Sequence, residues 1–387
     1  MTIIHLLLLI LCISAVFFYC YGIYAAIAFL NHQNPVDADF HPAITILKPI
    51  CGLDDEAYEN FASFCRQDYP QYQIIFSVRD PNDPGIAVVQ QIIQDFPELD
   101  LQLVVSEHTI GTNFKVCNLA NAESKAKYSI LLLADSDVRV GPDYLQRVIQ
   151  PMRDPDVGVV TCLYRPLTQG WVANLEAIGI STEYLASVLV ANKLDKIEFA
   201  LGPTIVIQRT ALEAIGGFLA IADYLADDFQ LGYLPAQAGY KVVLSDYVID
   251  HAIATTSFVD LIQRQTRWFL CTRFSRPWGY LGLILTFGTV TSLLLLIATG
   301  GSILGWTTLV ITWAMRLVMG WVVGVKVLHD AVAKKFLWVI PLSDLILFGI
   351  WCYGFVGSTI EWRGRQLKLI EGGKLVAIAN DSVIHNS

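Results

Sequence analysis

The chain has 387 residues, 54% of them hydrophobic and 16% charged, with a formal net charge of −9. An acidic chain lacks the basic footprint of a nucleic-acid binder, and this length allows a sizeable core in more than one structural unit. Eight cysteines (12, 20, 51, 65, 117, 162, 271 and 352) are scattered with no C-x-x-C pair, which argues against a zinc site or a disulfide framework and for a reducing compartment.

Taken in chain order, residues 3–30 carry no Asp, Glu, Lys or Arg and exceed the roughly 20 apolar residues that cross a bilayer. A cleaved signal peptide would want a basic start, a shorter apolar run and a small-residue cleavage site. None is evident, so 1–32 reads as an uncleaved anchor. From 40 to 255 the composition is that of an ordinary soluble domain. Strands are expected at 43–50, 72–80, 101–107, 128–137, 156–166 and 204–209. Helices are expected at 56–70, 86–97, 113–127, 142–152, 170–199 and 225–239. Strands alternating with helices imply βαβ units and a mostly parallel sheet, in which ligands sit beyond the carboxyl ends of the strands.

Two of those strand ends are acidic. "SVRDPNDP" ends at Asp80, and "LLLADSDV" places Asp135 and Asp137 one residue apart. Such a D-x-D turn can hold Mg²⁺ or Mn²⁺, cations that take oxygen ligands and bridge to substrate phosphates. The plainer alternative is a turn or cap aspartate, for Asp80 as for the pair. In "IGTNFKVCNL", Lys115 lies just inside a helix start, where it can meet an anionic ligand or remain a solvated lysine. "LADDFQLG" sets Asp227 and Asp228 in the first turn of a helix. Asp228 is a general-base candidate, unless the pair merely complements the helix dipole.

The stretch 256–278 reads as an amphipathic interface helix. Arg264 and Arg267 share one face, and Trp268, Phe269, Phe274 and Trp278 line the other. The arginines either face inward to a phosphorylated ligand or anchor the helix to anionic lipid. Apolar blocks follow within 279–360, at about 279–299, 303–327 and 336–360, and a basic tail occupies 361–387.

Together, Asp80, the Asp135/Asp137 pair, the Asp227–Asp228 pair and Arg264-x-x-Arg267-Trp268 follow an ordered D, D-x-D, (E/D)D, (Q/R)xxRW signature. The chain thereby resembles inverting, membrane-bound glycosyltransferases. Its likeness to ceramide glucosyltransferases runs through "LKPICGLD", "RQDYPQYQIIFSVRDPNDPGI" and "ADSDVRVGPDYL". Bacterial hopanoid-associated glycosyltransferases look similar over the same region and toward "EWRGRQLKL". Two positions depart from the ceramide pattern: Asp227 stands where Glu is usual, and Arg264 where Gln is.

The resemblance implies a GT-A fold, Rossmann-like with a mostly parallel mixed sheet, between N- and C-terminal transmembrane helices. It implies a UDP-sugar donor, a membrane-lipid acceptor, transfer of a hexose such as glucose, and a divalent metal. N-acetylglucosaminyl transfer to a hopanoid or other lipid is the alternative within that class. Asp80 would contact the uridine, Lys115 the base or diphosphate, Asp135 and Asp137 the metal and diphosphate, and Asp228 the acceptor hydroxyl. Arg264, Arg267 and Trp268 would hold and cover the donor. Because nucleotide sugars are cytoplasmic, the catalytic domain should be too, and Lys326, Lys334 and Lys335 fit that side. Three plain C-terminal crossings would put the basic tail outside. A re-entrant or tilted last block would instead return Arg363 and Arg365 to the active site. A rival of another class is a non-catalytic receptor or transporter using Arg316 and Asp344, which are costly in lipid.

Overall fold

The computed structural model describes residues 2–32, 35–254, 257–362 and 364–378. Its first element is a 28-residue helix, α1 (Ile3–Leu30), capped by Thr2 and His5 reciprocally. The soluble part follows as β1 (Ile44–Ile50), α2 (Ala57–Cys65), β2 (Tyr72–Val78), α3 (Gly85–Asp95), β3 (Asp100–Val105), α4 (Phe114–Glu123) and β4 (Ile130–Ala134). Next come β5 (Val138–Arg139), α5 (Tyr144–Val148), β6 (Val157–Thr168), α6 (Trp171–Gly179), α7 (Leu185–Leu194), β7 (Thr204–Gln208), α8 (Arg209–Ala214), α9 (Asp227–Gln237) and β8 (Lys241–Ile253).

These strands form one eight-stranded sheet in the order β3-β2-β1-β4-β7-β6-β8-β5. β1 pairs in parallel with β2 and β4, β2 with β3, and β6 with β8, while β7 runs antiparallel to both its neighbours. Every residue of β1 and β2 is buried, as expected of parallel strands covered on both faces. The expected strands and helices are present, most with shorter ends, while β6 runs two residues further, to Thr168. The helix expected over 56–70 stops at Cys65, because Arg66 leaves helical geometry ahead of Pro70.

Two elements were not anticipated. β8, "KVVLSDYVIDHAI", alternates too irregularly to announce itself, and a register shift opposite Cys162/Leu163 interrupts its pairing with β6. The basic tail folds as a small antiparallel sheet of β9 (Thr359–Trp362), β10 (Arg365–Leu369) and β11 (Leu375–Ala377). Its Leu367, Leu369 and Leu375 pack with Leu225 and Leu270.

Between β8 and the tail lie α10 (Phe258–Ser275), α11 (Pro277–Gly282), α12 (Gly288–Ala298), α13 (Ile303–Gly320), a π-helical turn (Trp321–Val327), α14 (Ala331–Phe336) and α15 (Ile340–Tyr353). Among the described residues, Ile3–Leu30, Ile303–Val327 and Ala331–Tyr353 are long and apolar enough to cross a membrane, and 277–285 with 288–298 is a pair bent by 50°. α1, α12 and α13 pack together: His5 Nε2 lies 3.0 Å from the Ala298 carbonyl, and the Tyr19 hydroxyl donates to the Thr286 carbonyl at 2.8 Å. With these apolar helices the chain is a membrane protein.

The last apolar segment touches the sheet-bearing unit at both ends. Ser181 donates to Asp330 at 2.7 Å, and Arg273 donates to the carbonyl of Gly357 at 2.9 Å. The tail sheet that follows places Arg365 on Phe114, with its guanidinium 3.8 Å from the ring centroid; Arg363 lies outside the described residues. Arg316 and Asp344 form a bidentate pair, so each meets the other's charge inside the fold.

Candidate active site

The D-x-D turn begins one residue past β4. The Asp135 amide donates to the Pro203 carbonyl at 3.1 Å, and its own carbonyl accepts from Lys48 Nζ at 2.8 Å. Ser136 between the aspartates donates to Asp54, and the Asp137 carbonyl accepts from the Ala252 amide at 2.9 Å. With the backbone anchored on both sides, the two carboxylates diverge. Asp135 Oδ1 meets Lys115 Nζ at 2.6 Å, and Asp137 Oδ2 lies 3.3 Å from His251 Nε2.

Lys115 reaches this position because Asn113 caps α4, accepting from the Lys115 and Val116 amides. Asn113 also donates to the Tyr224 carbonyl and, at 3.3 Å, to Asp227 Oδ1. Asp227 is buried, with Oδ2 3.7 Å from Lys115 Nζ. Its neighbour Asp228 turns the other way, accepting from the adjacent Phe229 amide at 2.8 Å within the first turn of α9. Gly202 permits this approach, since a β-carbon there would lie 2.9 Å from Asp228 Oδ2.

Asp80 fulfils its turn role and stays exposed: Oδ1 accepts from the Asn82 amide at 2.8 Å. On α10, which begins with a capping box between Ser257 and Asp260, Arg264 Nε lies 3.7 Å from the buried Glu176 carboxylate. The Arg267 guanidinium lies 5.5 Å from the Trp362 ring centroid, and Trp268 packs against Tyr184 at 6.1 Å.

All the sequence-selected residues line one cavity of about 1890 Å³: Asp80, Lys115, Asp135, Asp137, Asp228, Arg264, Arg267 and Trp268. It continues past Asp228 to the membrane helices, where Leu283, Thr286, Phe287 and Leu347 line it. Both arginines thus face inward. Residues that sequence reasoning missed also belong here. His251 lies on the unanticipated β8 and Trp362 on the tail sheet, beside Arg365, which the re-entrant reading of the sequence returns to the active site. Lys48, visible only as part of an apparent strand end, is fully buried beneath the turn.

Burial and proximity set the charges. Burial raises the Asp228 carboxyl to about 6, and the adjacent Asp227 adds to the rise. Burial also raises Asp135, against the opposing pull of Lys115. For Asp137 burial acts upward too, but His251, Lys115 and Lys48 outweigh it and hold the group at about 2. The His251 imidazole is raised despite its burial, because Asp137 stabilises the charged form. Burial lowers the Lys48 ammonium to about 7, with Asp137 and Asp135 resisting.

A divalent cation fits part of this arrangement. Asp137 Oδ1 is buried without a hydrogen-bond partner among the described residues, the kind of orphaned oxygen that a cation satisfies. No group of three His, Cys, Asp or Glu side chains is poised as a metal cluster among those residues. Phosphate oxygens would then have to complete the shell, as Mg²⁺ and Mn²⁺ sites commonly require.

A mixed α/β sheet with carboxylates at its strand ends, opening on one crevice, is the GT-A arrangement. The described chain superposes on mannosyltransferase PcManGT from Pyrobaculum calidifontis, solved in complex with GDP-Man and Mn²⁺, with a TM-score of 0.58 and 17% identity, over 91% of this chain and 98% of that one. The family model described as glycosyl transferase family 21 matches residues 7–375. The chain belongs to that family and is a glycosyltransferase. It is 24% identical over 368 residues to ceramide glucosyltransferase 1 of Caenorhabditis elegans, covering 92% of this chain and 77% of the relative. To ceramide glucosyltransferase 3 of the same organism it is 28% identical over 241 residues, or 62% and 52% of the two chains.

Proposed function

We propose that this glycosyltransferase moves a hexose, glucose by the sense of its relatives' names, from a UDP-sugar to the hydroxyl of a membrane lipid with inversion. The observation that carries this reading is the continuity of one cavity from Asp135 and Asp137, past Asp228, to the apolar Leu283 and Phe287 ahead of α12 and Leu347 of α15. A soluble donor enters at the acidic, polar end, and a lipid acceptor at the other.

Asp228 is the general base. With its carboxyl near 6 it is ionised at neutral pH and still basic enough to accept a proton, the match that acid–base catalysis favours. The acceptor oxygen attacks the anomeric carbon, its proton passes to Asp228, and the bond to the diphosphate breaks. One displacement inverts the configuration, so an α-linked donor gives a β-glycoside. Arg264 and Arg267 supply positive charge to the departing diphosphate, and Trp268 covers the donor. Asp80 keeps one carboxylate oxygen beyond its turn for the uridine. Lys115 lies near the diphosphate once Asp135 is engaged by donor and cation. Asp137, with Asp135, would hold the Mg²⁺ or Mn²⁺, which would supply Lewis-acid neutralisation of the leaving group. The catalytic unit faces the cytoplasm, where nucleotide sugars are made.

The test is product mass spectrometry on the purified full chain with a panel of UDP-sugars and lipids, with and without EDTA. A metal-dependent β-hexosyl lipid and stoichiometric UDP are expected. No turnover with any donor, lipid and metal would sink the reading.

A further inference from the structure

A second cluster of charges lies where the membrane helices meet the catalytic unit. The Arg316 guanidinium clamps Asp344 through Nε at 3.2 Å and Nη2 at 2.9 Å. It also donates to the Thr182 carbonyl at 2.9 Å and the Thr182 hydroxyl at 3.2 Å. Asp344 is completed by the Thr289 hydroxyl at 2.5 Å. Glu183 stands apart from this closed set. Its Oε2 lies 3.4 Å from Arg316 Nη2, and that atom is buried without a hydrogen-bond partner among the described residues.

One guanidinium therefore faces two carboxylates, and the geometry commits it to Asp344. Glu183 takes a side-chain hydrogen bond from Thr286, but its Oε2 keeps acceptor capacity to spare, in a place where an unsatisfied polar atom is costly. It sits on a π-helical turn, Ile180–Tyr184, a distortion frequent at functional sites. Glu183 lines the same cavity as Asp228, on its membrane side, among Tyr184, Val188, Leu283, Phe287 and Leu347. The Tyr184 ring next to it packs on Trp268, the residue proposed to cover the donor.

We propose that this membrane-side arm of the cavity is the acceptor subsite and that Glu183 is its specificity-determining residue, accepting a hydrogen bond from an N–H or O–H that the lipid carries beside its reacting hydroxyl. The assignment rests on the lipid-acceptor reading above. Apolar walls take the chains, and the one spare carboxylate sorts the polar part by chemistry. A lipid with an amide or amine next to the hydroxyl satisfies Glu183. A diacylglycerol offers only ester oxygens there and leaves the carboxylate opposed by acceptors.

The experiment uses the full-length protein in nanodiscs, with UDP-glucose and two chain-matched acceptors, a ceramide and a diacylglycerol. Glu183→Ala is expected to raise KM for the ceramide about tenfold, the loss of one charge-assisted hydrogen bond. It should shrink the ceramide-over-diacylglycerol ratio in kcat/KM by a similar factor, with KM for UDP-glucose within about twofold of the parent. Glu183→Gln, which retains a carbonyl acceptor, should recover part of the ratio. Folding should survive, since either change leaves Arg316 and Asp344 matched one to one; a thermal unfolding midpoint checks this. An unchanged acceptor ratio in Glu183→Ala overturns the assignment alone. A parent protein that glucosylates no lipid, while releasing UDP with another acceptor class, overturns the lipid-acceptor reading and the assignment with it.

Discussion

Lys115 Nζ lies 2.6 Å from Asp135 Oδ1, so half of the D-x-D pair is already neutralised by a cation belonging to the protein. Asp137 takes the other direction, toward His251. The two carboxylates, one residue apart in sequence, sit in opposite electrostatic environments, one raised and one held near 2. Asp137, the carboxylate held low, is the better suited of the two to bind a metal directly.

His251 therefore bears on metal affinity. Replacing it with alanine removes the imidazole beside Asp137 and should raise the Mn²⁺ concentration for half-maximal activity by roughly 10–100-fold, the usual cost of losing a ligand's partner. Metal titrations of Asp137→Asn and His251→Ala should shift in the same direction; an unmoved His251→Ala curve counts against the pairing.

Asp228→Asn should abolish transfer while leaving UDP-sugar binding largely intact, measured by calorimetry against product formation. The same change should stabilise the fold. A carboxyl raised in the folded state makes ionisation work against folding. That cost is absent below its ordinary value of 3.8, grows as pH rises, and is complete above about 6. About two units at about 1.4 kcal/mol each give up to about 3 kcal/mol at pH 8. The thermal midpoint of Asp228→Asn should exceed the parent's at pH 8 and converge with it near pH 4.

The same ionisation sets the rate. Only the deprotonated Asp228 accepts a proton, so kcat/KM should climb with pH through about 6 and fall about tenfold per unit below it. Stopped assays from pH 5 to 8 give the profile. A rate that is flat down to pH 5 would remove Asp228 as the base.

Arg316→Ala strands Asp344 and Glu183 without their counter-charge. Removing one partner of a buried pair costs roughly 3–5 kcal/mol, whereas replacing both partners with apolar groups is often neutral. Thermal unfolding in detergent should therefore show a large loss for the single change and substantial recovery for Arg316→Leu combined with Asp344→Leu and Glu183→Leu.

Arg365 comes from the tail yet lies on Phe114, as does Arg79, whose guanidinium is 4.0 Å from the ring centroid. Both arginines line the donor end of the cavity. Arg365→Ala should raise KM for the UDP-sugar severalfold with little effect on KM for the lipid, and initial-rate kinetics in both substrates separate the two.

The βαβ rhythm, the buried parallel strands and the acidic strand ends were all legible in the sequence, because period and turn chemistry are local properties. So were the arginines of α10, three residues apart and so on one face of a helix. Residues brought from afar were not legible. His251 hid in a strand whose alternation is broken by a register shift, and Trp362 in a tail that looked merely basic. Even Asp80 had two readings, and the fold realises the turn while leaving the side chain in the crevice.

What the sequence by itself determined is which chemical groups exist and where along each element they fall: carboxylates at strand ends, guanidiniums on a helix face, apolar runs long enough for a bilayer. Only the tertiary structure decided their charges and partners. Asp135 and Asp137 are chemically identical and differ because Lys115 meets one and His251 the other. Glu183 is left spare because Arg316 closes on Asp344. Electrostatic energy depends on distance in space and on burial, and neither can be read along the chain.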